Sequence, residues 1–387
     1  MKRRVVSKNL FNYISQGKLD EDINKNLPVF DPCLSLLNIW TAYKFVVEIS
    51  KYLIDLAISK YEWNTVDFEV KNQPFFESIL IMWKGMMFYR DEEFVRGFRM
   101  LCNYGFDVAQ SHVVYEKTLK ECNHSELKVK TTHLGDYSVP VLVHTPNRLM
   151  FQSQRPAIVY AHGGGVIGGS ASTHKRYLSK VAVRCNVVVF NVDYRRAPET
   201  KCPNNILDFY EVLKYVHCKA ELMGIDASRI AIAGESGGGY ICLGTMILLS
   251  QRHESNLVKL AMPNVPMVDD DSLRWKDPGI INIFIRKVWA LLAEDLREQE
   301  NDPLLFPGKA SDEILENVPP TIMWEAEFDI FLNEATRLAN RIDHAGRLLE
   351  LVVFPGQRHG SWINPRFKCH EKGFDAYSLA VEKYLIE

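Results

Sequence analysis

Residues 229–240 read RIAIAGESGGGY, and this stretch decides the fold class. The β-branched and alanine run at residues 229–233 predicts a buried strand, and the apolar run at residues 240–249 predicts a helix. Between them, residues 234–238 match the Gly-x-Ser-x-Gly pattern of a strand-turn-helix elbow. Such a turn strains the backbone of its serine and needs residues without bulk on either side. The pattern therefore predicts that Ser236 is a nucleophile held at the end of a strand.

Strand-like and helix-like segments alternate around this elbow. Further apolar runs typical of strands lie at residues 128–133, 139–144, 157–160, 187–192, 321–324 and 349–354. Helix candidates lie near residues 174–184, 205–219, 237–250, 332–345 and 371–385. Short apolar strands joined by helical crossovers predict a mostly parallel sheet with helices on both faces. The predicted fold class is α/β.

Two parts of the chain depart from this alternation. Up to about residue 125, mixed segments such as residues 75–87 and 91–101 favour helices over strands. Residues 266–310 form a connection too long for a plain loop, with a helical stretch at residues 280–292. We therefore predict an N-terminal helical cap segment at residues 1–125. The core is predicted at residues 126–387, with a cap insertion at about 266–310.

A glycine loop follows the predicted strand at residues 157–160. It reads His162-Gly163-Gly164-Gly165, and glycines let backbone N–H groups approach a developing oxyanion without obstruction by side chains. We predict Gly163 and Gly164 as oxyanion donors, with Gly237 N–H as the third; Gly165 is an alternative donor. A phosphate-binding loop or a simple turn is the competing interpretation, but the rest of a nucleotide-binding fingerprint is absent. His162 is predicted to orient the loop.

A serine hydroxyl needs an imidazole to take its proton and a carboxylate to orient that imidazole. His359 follows the last predicted strand, at the sheet edge where Ser236 is also expected. Asp329 follows the strand at residues 321–324 and gives the chain order serine, acid, histidine. Glu327, two residues earlier, is the local competitor for the role of the acid.

Composition limits the partners and cofactors. The chain has 387 residues and a formal net charge of -2, so it presents no broad positive field for nucleic acid. A small or neutral substrate is the better expectation, and a homodimer is compatible with the sequence. The acidic run at residues 269–271 and the histidines lack the spacing of a metal cage. These histidines are His112, His124, His133 and His144. No cofactor and no metal are therefore predicted.

The cysteines and the apolar segments bear on location. Eight cysteines are scattered without a Cys-x-x-Cys pair, which is typical of reduced thiols in the cytoplasm. The most apolar early stretch, residues 36–58, carries four charged residues at roughly helical spacing. It is predicted as an amphipathic helix and not as an integral membrane span, although contact of its apolar face with lipid stays open.

These motifs together resemble the hormone-sensitive-lipase family of α/β-hydrolases, which includes bacterial esterases and arylacetamide deacetylase. The motifs that carry the resemblance are residues 162–165, residues 193–199 (DYRRAPE), residues 234–238, Asp329 with Asn333-Glu334, and His359-Gly360. They fall in the family's order and span roughly residues 125–387. Two positions depart from the family: Gly237 stands where alanine is common, and Ile330 follows Asp329 where proline is usual.

The resemblance implies the α/β-hydrolase fold with a helical cap. It also implies that Ser236 acts as nucleophile, His359 as base and then acid, and Asp329 as the orienting carboxylate. The expected reaction is hydrolysis of small or medium carboxylic esters, with aryl acetates and acetamides as candidates. A ligand-binding receptor on the same scaffold, like the plant gibberellin receptors that have lost the histidine, is the first alternative. A lyase or acyltransferase is the second.

Overall fold

The computed structural model describes residues 73–87, 90–110, 113–132, 137–269, 280–363 and 369–387. The predicted amphipathic helix at residues 36–58 lies outside these residues, as do His112 and His133.

One eight-stranded sheet forms the centre of the described residues. Its strands are β1 (Cys122–Lys130), β2 (Ser138–Pro146), β3 (Arg155–Ala161), β4 (Val188–Val192), β5 (Ile225–Glu235), β6 (Leu260–Asn264), β7 (Thr321–Phe328) and β8 (Leu348–Arg358). Their order across the sheet is β1-β2-β4-β3-β5-β6-β7-β8. β2 pairs antiparallel with β1 and β4, and the remaining pairs are parallel. The prediction of a mostly parallel sheet is confirmed.

Helices cover the sheet on both faces. The α-helices of the described residues are α1 (Gln73–Met87), α2 (Asp91–Gln110), α3 (Val113–Lys120), α4 (Lys175–Cys185), α5 (Asn204–Cys218), α6 (Gly237–Gln251), α7 (Ile280–Leu292), α8 (Asp312–Glu316), α9 (Leu332–His344) and α10 (Cys369–Val381). Ile232 of β5 belongs to an apolar cluster that contains Phe209 of α5. The next residue, Ala233, belongs to a second cluster that contains Leu178 of α4. Successive residues of a central strand thus face opposite helical layers.

The sequence prediction missed one strand and misplaced the start of another. β6 (Leu260–Asn264) joins β5 to β7 and is fully buried. Its run LAMPN contains Pro263, which is disfavoured in central strands because proline cannot donate to the ladder, so the pattern was not typical of one. β1 begins at Cys122, earlier than the strand predicted at residues 128–133.

The N-terminal helices and the insertion helix contact each other. Phe284 of α7 packs against Phe94 and Phe98 of α2, with ring centroids 5.6 and 5.1 Å apart. Arg99 of α2 donates from Nε to the carbonyl oxygen of Ile167, at 2.9 Å, and so ties α2 to the loop after β3. These contacts place α2 and α7 together over the glycine loop.

Candidate active site

The turn between β5 and α6 holds Ser236 in a strained backbone conformation, with φ 57° and ψ -119°. A Cβ on Gly238 would lie 2.0 Å from the carbonyl oxygen of Ala161, and one on Gly234 would lie 2.3 Å from that of Gly238. Ser236 N–H donates to the carbonyl oxygen of Asn264 at 2.9 Å, which anchors the turn to β6. The tight packing explains why glycine stands on both sides of the serine.

Three side chains from three loops form one hydrogen-bonded relay. Nε2 of His359 lies 2.8 Å from Oγ of Ser236, although the two residues are 123 positions apart in the chain. Nδ1 of His359 lies 2.8 Å from Oδ2 of Asp329. A carboxylate only accepts, so Nδ1–H donates to Asp329, and Nε2 is left to accept the serine proton. This arrangement can activate Ser236 as a nucleophile.

The position of Asp329 is fixed by its own loop. Its side chain is fully buried, and Oδ1 accepts a hydrogen bond from the N–H of Phe331 at 2.9 Å. Glu327, the local competitor, instead accepts from the N–H of Gly356 at 2.6 Å through Oε2. Of the two carboxylates, the structure brings only Asp329 to the imidazole of His359.

The glycine loop requires one correction. The N–H of Gly163, predicted as an oxyanion donor, donates to Oε1 of Glu235 at 2.7 Å and is therefore already engaged. Within the described residues, the N–H groups of Gly164 and Gly165 donate no hydrogen bond. A Cβ on Gly237 would lie 2.8 Å from the nitrogen of Gly165, so these two amides are neighbours. Within the described residues, the amides of Gly164, Gly165 and Gly237 thus remain available as oxyanion donors.

Glu235 links the serine elbow to the glycine loop, a role that the sequence prediction did not assign. The side chain is buried, and its other oxygen accepts a hydrogen bond from the hydroxyl of Tyr160. Nε2 of His174 lies 2.6 Å from Oε1 of Glu235, but the two atoms are not aligned for a hydrogen bond. Burial raises the pKa of Glu235 well above its usual value. Its place beside the nucleophile in the motif was the only signal in the sequence.

His162 lies beneath the loop and is not part of the relay. Its Nδ1 is 2.9 Å from the carbonyl oxygen of Gly163, and its ring stacks on Tyr194 with centroids 4.3 Å apart. The Tyr194 hydroxyl donates to the carbonyl oxygen of His162 at 2.7 Å. These contacts fit the orienting role expected of His162. They also show that Tyr194, from the segment at residues 193–199, supports the start of the glycine loop.

The fold and this relay define a serine hydrolase built on an α/β sheet. A profile of the alpha/beta hydrolase fold family matches residues 158–363, which is more than half of the chain. The chain belongs to the hormone-sensitive-lipase-like family of α/β-hydrolases.

Individual relatives agree with this assignment. The chain is 30% identical over 271 residues to the carboxylesterase NlhH of Mycobacterium tuberculosis, which covers 66% of this chain and 82% of the relative. It is 29% identical over 230 residues to an arylesterase of Saccharolobus solfataricus, covering 57% and 71% of the two chains. Among solved structures, a bacterial heroin esterase superposes with a TM-score of 0.65 at 27% identity, over 74% of this chain and 90% of that one.

Proposed function

We propose that this protein hydrolyses carboxylic esters through an acyl intermediate on Ser236. The observation that carries the proposal is the continuous relay from Ser236 through His359 to Asp329. Relatives named carboxylesterase and arylesterase support an ester as the substrate class.

The proposed reaction has two halves. Oγ of Ser236 adds to the ester carbonyl carbon while Nε2 of His359 takes its proton, and the carbonyl oxygen becomes an oxyanion. The amides of Gly164, Gly165 and Gly237 donate to that oxygen. The intermediate collapses, and the alcohol leaves with the proton from His359. Water then attacks the acyl-serine by the same route, which releases the acid and restores the serine.

The cap supports small or medium acyl groups as the preferred substrates. A Cβ on Gly165 would lie 3.6 Å from Phe98 of α2 and 3.9 Å from Val288 of α7. Apolar side chains of both cap helices thus lie against the oxyanion loop, where an acyl chain would extend. Aryl acetates and acetamides are the candidate substrates within this class.

A ligand-binding receptor and an acyltransferase are the alternatives to a hydrolase, and their chemistry distinguishes them from it. A receptor on this scaffold has no need for a complete relay, and His359 is present and hydrogen-bonded here. An acyltransferase would pass the acyl group to an alcohol in preference to water. Product analysis of turnover with and without an added alcohol distinguishes transfer from hydrolysis.

The direct test compares the wild-type protein with Ser236→Ala on a p-nitrophenyl ester. We expect the variant to lose at least about 10⁴-fold in kcat, because the nucleophile is gone. A fluorophosphonate probe should label the wild type at Ser236 and leave the variant unlabelled. Wild-type turnover by Ser236→Ala, with an unchanged melting temperature, would refute the proposal.

We also propose a cytoplasmic location. Each cysteine of the described residues is a free thiol, which fits a reducing compartment. None of the helices in the described part of the chain combines the length and the apolar character that a membrane crossing needs. A homodimer stays a prediction from the sequence.

A further inference from the structure

Two strands at the antiparallel edge of the sheet bring three metal-ligating side chains together. His124 of β1 lies directly opposite His144 of β2 in the ladder. Cys122 is two residues before His124, so its side chain is on the same face of β1. One ligand atom from each residue, the sulfur and a nitrogen of each ring, lies within 4.8 Å of the others.

These separations are close to those of a tetrahedral zinc site. Bond lengths of about 2.3 Å to sulfur and 2.0–2.1 Å to nitrogen place neighbouring ligand atoms roughly 3.3–3.6 Å apart. The side chains would therefore move together by about 1 Å on metal binding. A thiolate with two imidazoles is a donor set that suits Zn²⁺.

One polar atom, a serine hydroxyl oxygen, lies within hydrogen-bond distance of both imidazoles. The hydroxyl oxygen of Ser179, on α4, lies 2.8 Å from Nε2 of His124 and 3.2 Å from Nδ1 of His144. His144 is fully buried, and its Nε2 has no hydrogen-bond partner within the described residues. A buried ring nitrogen without a hydrogen-bond partner destabilises the folded state, and a metal ion bound through Nε2 of His144 would give that nitrogen a partner.

The cluster is open to solvent on one side. His124 lines a surface pocket of about 600 Å³ between α2, α3 and the start of α4. Asn103, Asp107, Thr173 and Arg176 are among the other lining residues. The pocket gives an ion access to His124 and leaves room for a coordinating water.

We propose that Cys122, His124 and His144 bind one Zn²⁺ ion, with the Ser179 hydroxyl or a water in the fourth position. The cluster lies on β1 and β2, and β2 is three strand spacings, roughly 14 Å, from β5, the strand that precedes Ser236. With Ser179 as the fourth ligand, the ion would connect the β1–β2 edge to α4. It would take no part in ester cleavage. This proposal revises the sequence expectation for His124 and His144, which considered only local spacing.

Deprotonation of the thiol is part of binding. Burial raises the pKa of Cys122 to about 11. A metal ligand must be the thiolate, so the ion itself has to displace the proton.

Cobalt titration of the full chain, stripped with a chelator, tests the site without a substitution. We expect one Co²⁺ per chain with a thiolate-to-cobalt charge-transfer band and the intense visible bands of tetrahedral Co²⁺, both abolished by equimolar Zn²⁺. Zinc should also raise the melting temperature, because it binds the folded state. A stripped protein that develops no thiolate band with excess Co²⁺ overturns the proposal.

Variants locate the ion. Cys122→Ser should lose the thiolate band, and Zn²⁺ affinity should fall by more than about 100-fold, which exceeds the effect typical of a neighbour of a ligand. Cys185→Ser, at a buried thiol of α4 outside the cluster, is the matched control and should bind as the wild type does. His124→Gln, at a partly exposed position, gives a second readout if Cys122→Ser fails to fold. Wild-type Zn²⁺ affinity in Cys122→Ser or in His124→Gln would also overturn the proposal. Removal of the metal by the chelator should leave esterase activity unchanged.

Discussion

Asp329 and Glu327 lie two residues apart, and only Asp329 contacts the imidazole of His359. We expect Asp329→Asn to lower kcat by about 10⁴-fold, because an amide does not hold the imidazole in the required tautomer. Glu327→Gln should stay within about threefold of the wild type. Steady-state kinetics on p-nitrophenyl acetate, with melting curves for both variants, provide the measurement. The reverse pattern would show that Glu327 is the acid.

Glu235 is the second residue with a specific expectation, as a positioning residue for the glycine loop. Glu235→Ala removes the acceptor of Gly163 N–H, so the loop loses its anchor and we expect kcat to fall by about 10²-fold with little change in KM. Glu235→Gln keeps an acceptor oxygen, and the Tyr160 hydroxyl can accept from its NH₂ group. The glutamine variant should therefore recover to within about tenfold of the wild type. Equal losses in both variants would contradict a positioning role.

At the scale of elements, β7 carries a buried carboxyl group without a partner. Glu325 is fully buried, and neither of its oxygens has a hydrogen-bond partner within the described residues. Burial, with smaller contributions from Asp329 and Glu334, raises its pKa well above the usual value. A buried carboxyl group of this kind is more stable in its neutral form.

The sign of the resulting pH dependence follows from linkage. The folded state keeps the Glu325 proton after the unfolded state has lost it near pH 4.3, so this stabilisation is full below that pH. It decreases as the pH rises toward the folded pKa, by about 1.4 kcal/mol per pH unit for one proton. We expect Glu325→Gln to remove this fall in unfolding free energy as the pH rises above about 5, measured by urea unfolding. Glu313→Gln, at an exposed position of α8, is the control, and a slope unchanged in Glu325→Gln would contradict the account.

The sequence predicted most of these elements because their signals are local. The elbow around Ser236 is a contiguous motif, and the loops of Asp329 and His359 follow recognisable apolar strands. Gly163 was assigned wrongly because the engagement of its amide depends on Glu235, which is 72 residues away. The pairing of His124 with His144 depends on strand register, which spacing along one segment does not encode.

At the scale of the whole molecule, the cap is expected to set acyl-chain preference. Phe98 of α2 is the aromatic side chain that lies against Gly165. We expect Phe98→Ala to enlarge this space and to raise kcat/KM for p-nitrophenyl hexanoate relative to acetate by about tenfold. The measurement is the ratio of the two kcat/KM values.

Phe94→Ala is the matched control for this change. Phe94 packs in the same aromatic group but is not among the atoms nearest to Gly165. It should destabilise the cap and leave the ratio of the two substrates unchanged. If both variants shift the ratio equally, loosening of the cap, and not the space beside Gly165, determines the preference.

The central claim is that Ser236 carries the acyl group during turnover. Rapid acid quenching of the wild-type protein during p-nitrophenyl acetate hydrolysis, followed by peptide mass spectrometry, tests this claim most directly. The account predicts one acetyl group per chain, located on Ser236. An acetyl group on another residue, or sustained turnover in which the Ser236 peptide is never acylated, would contradict it.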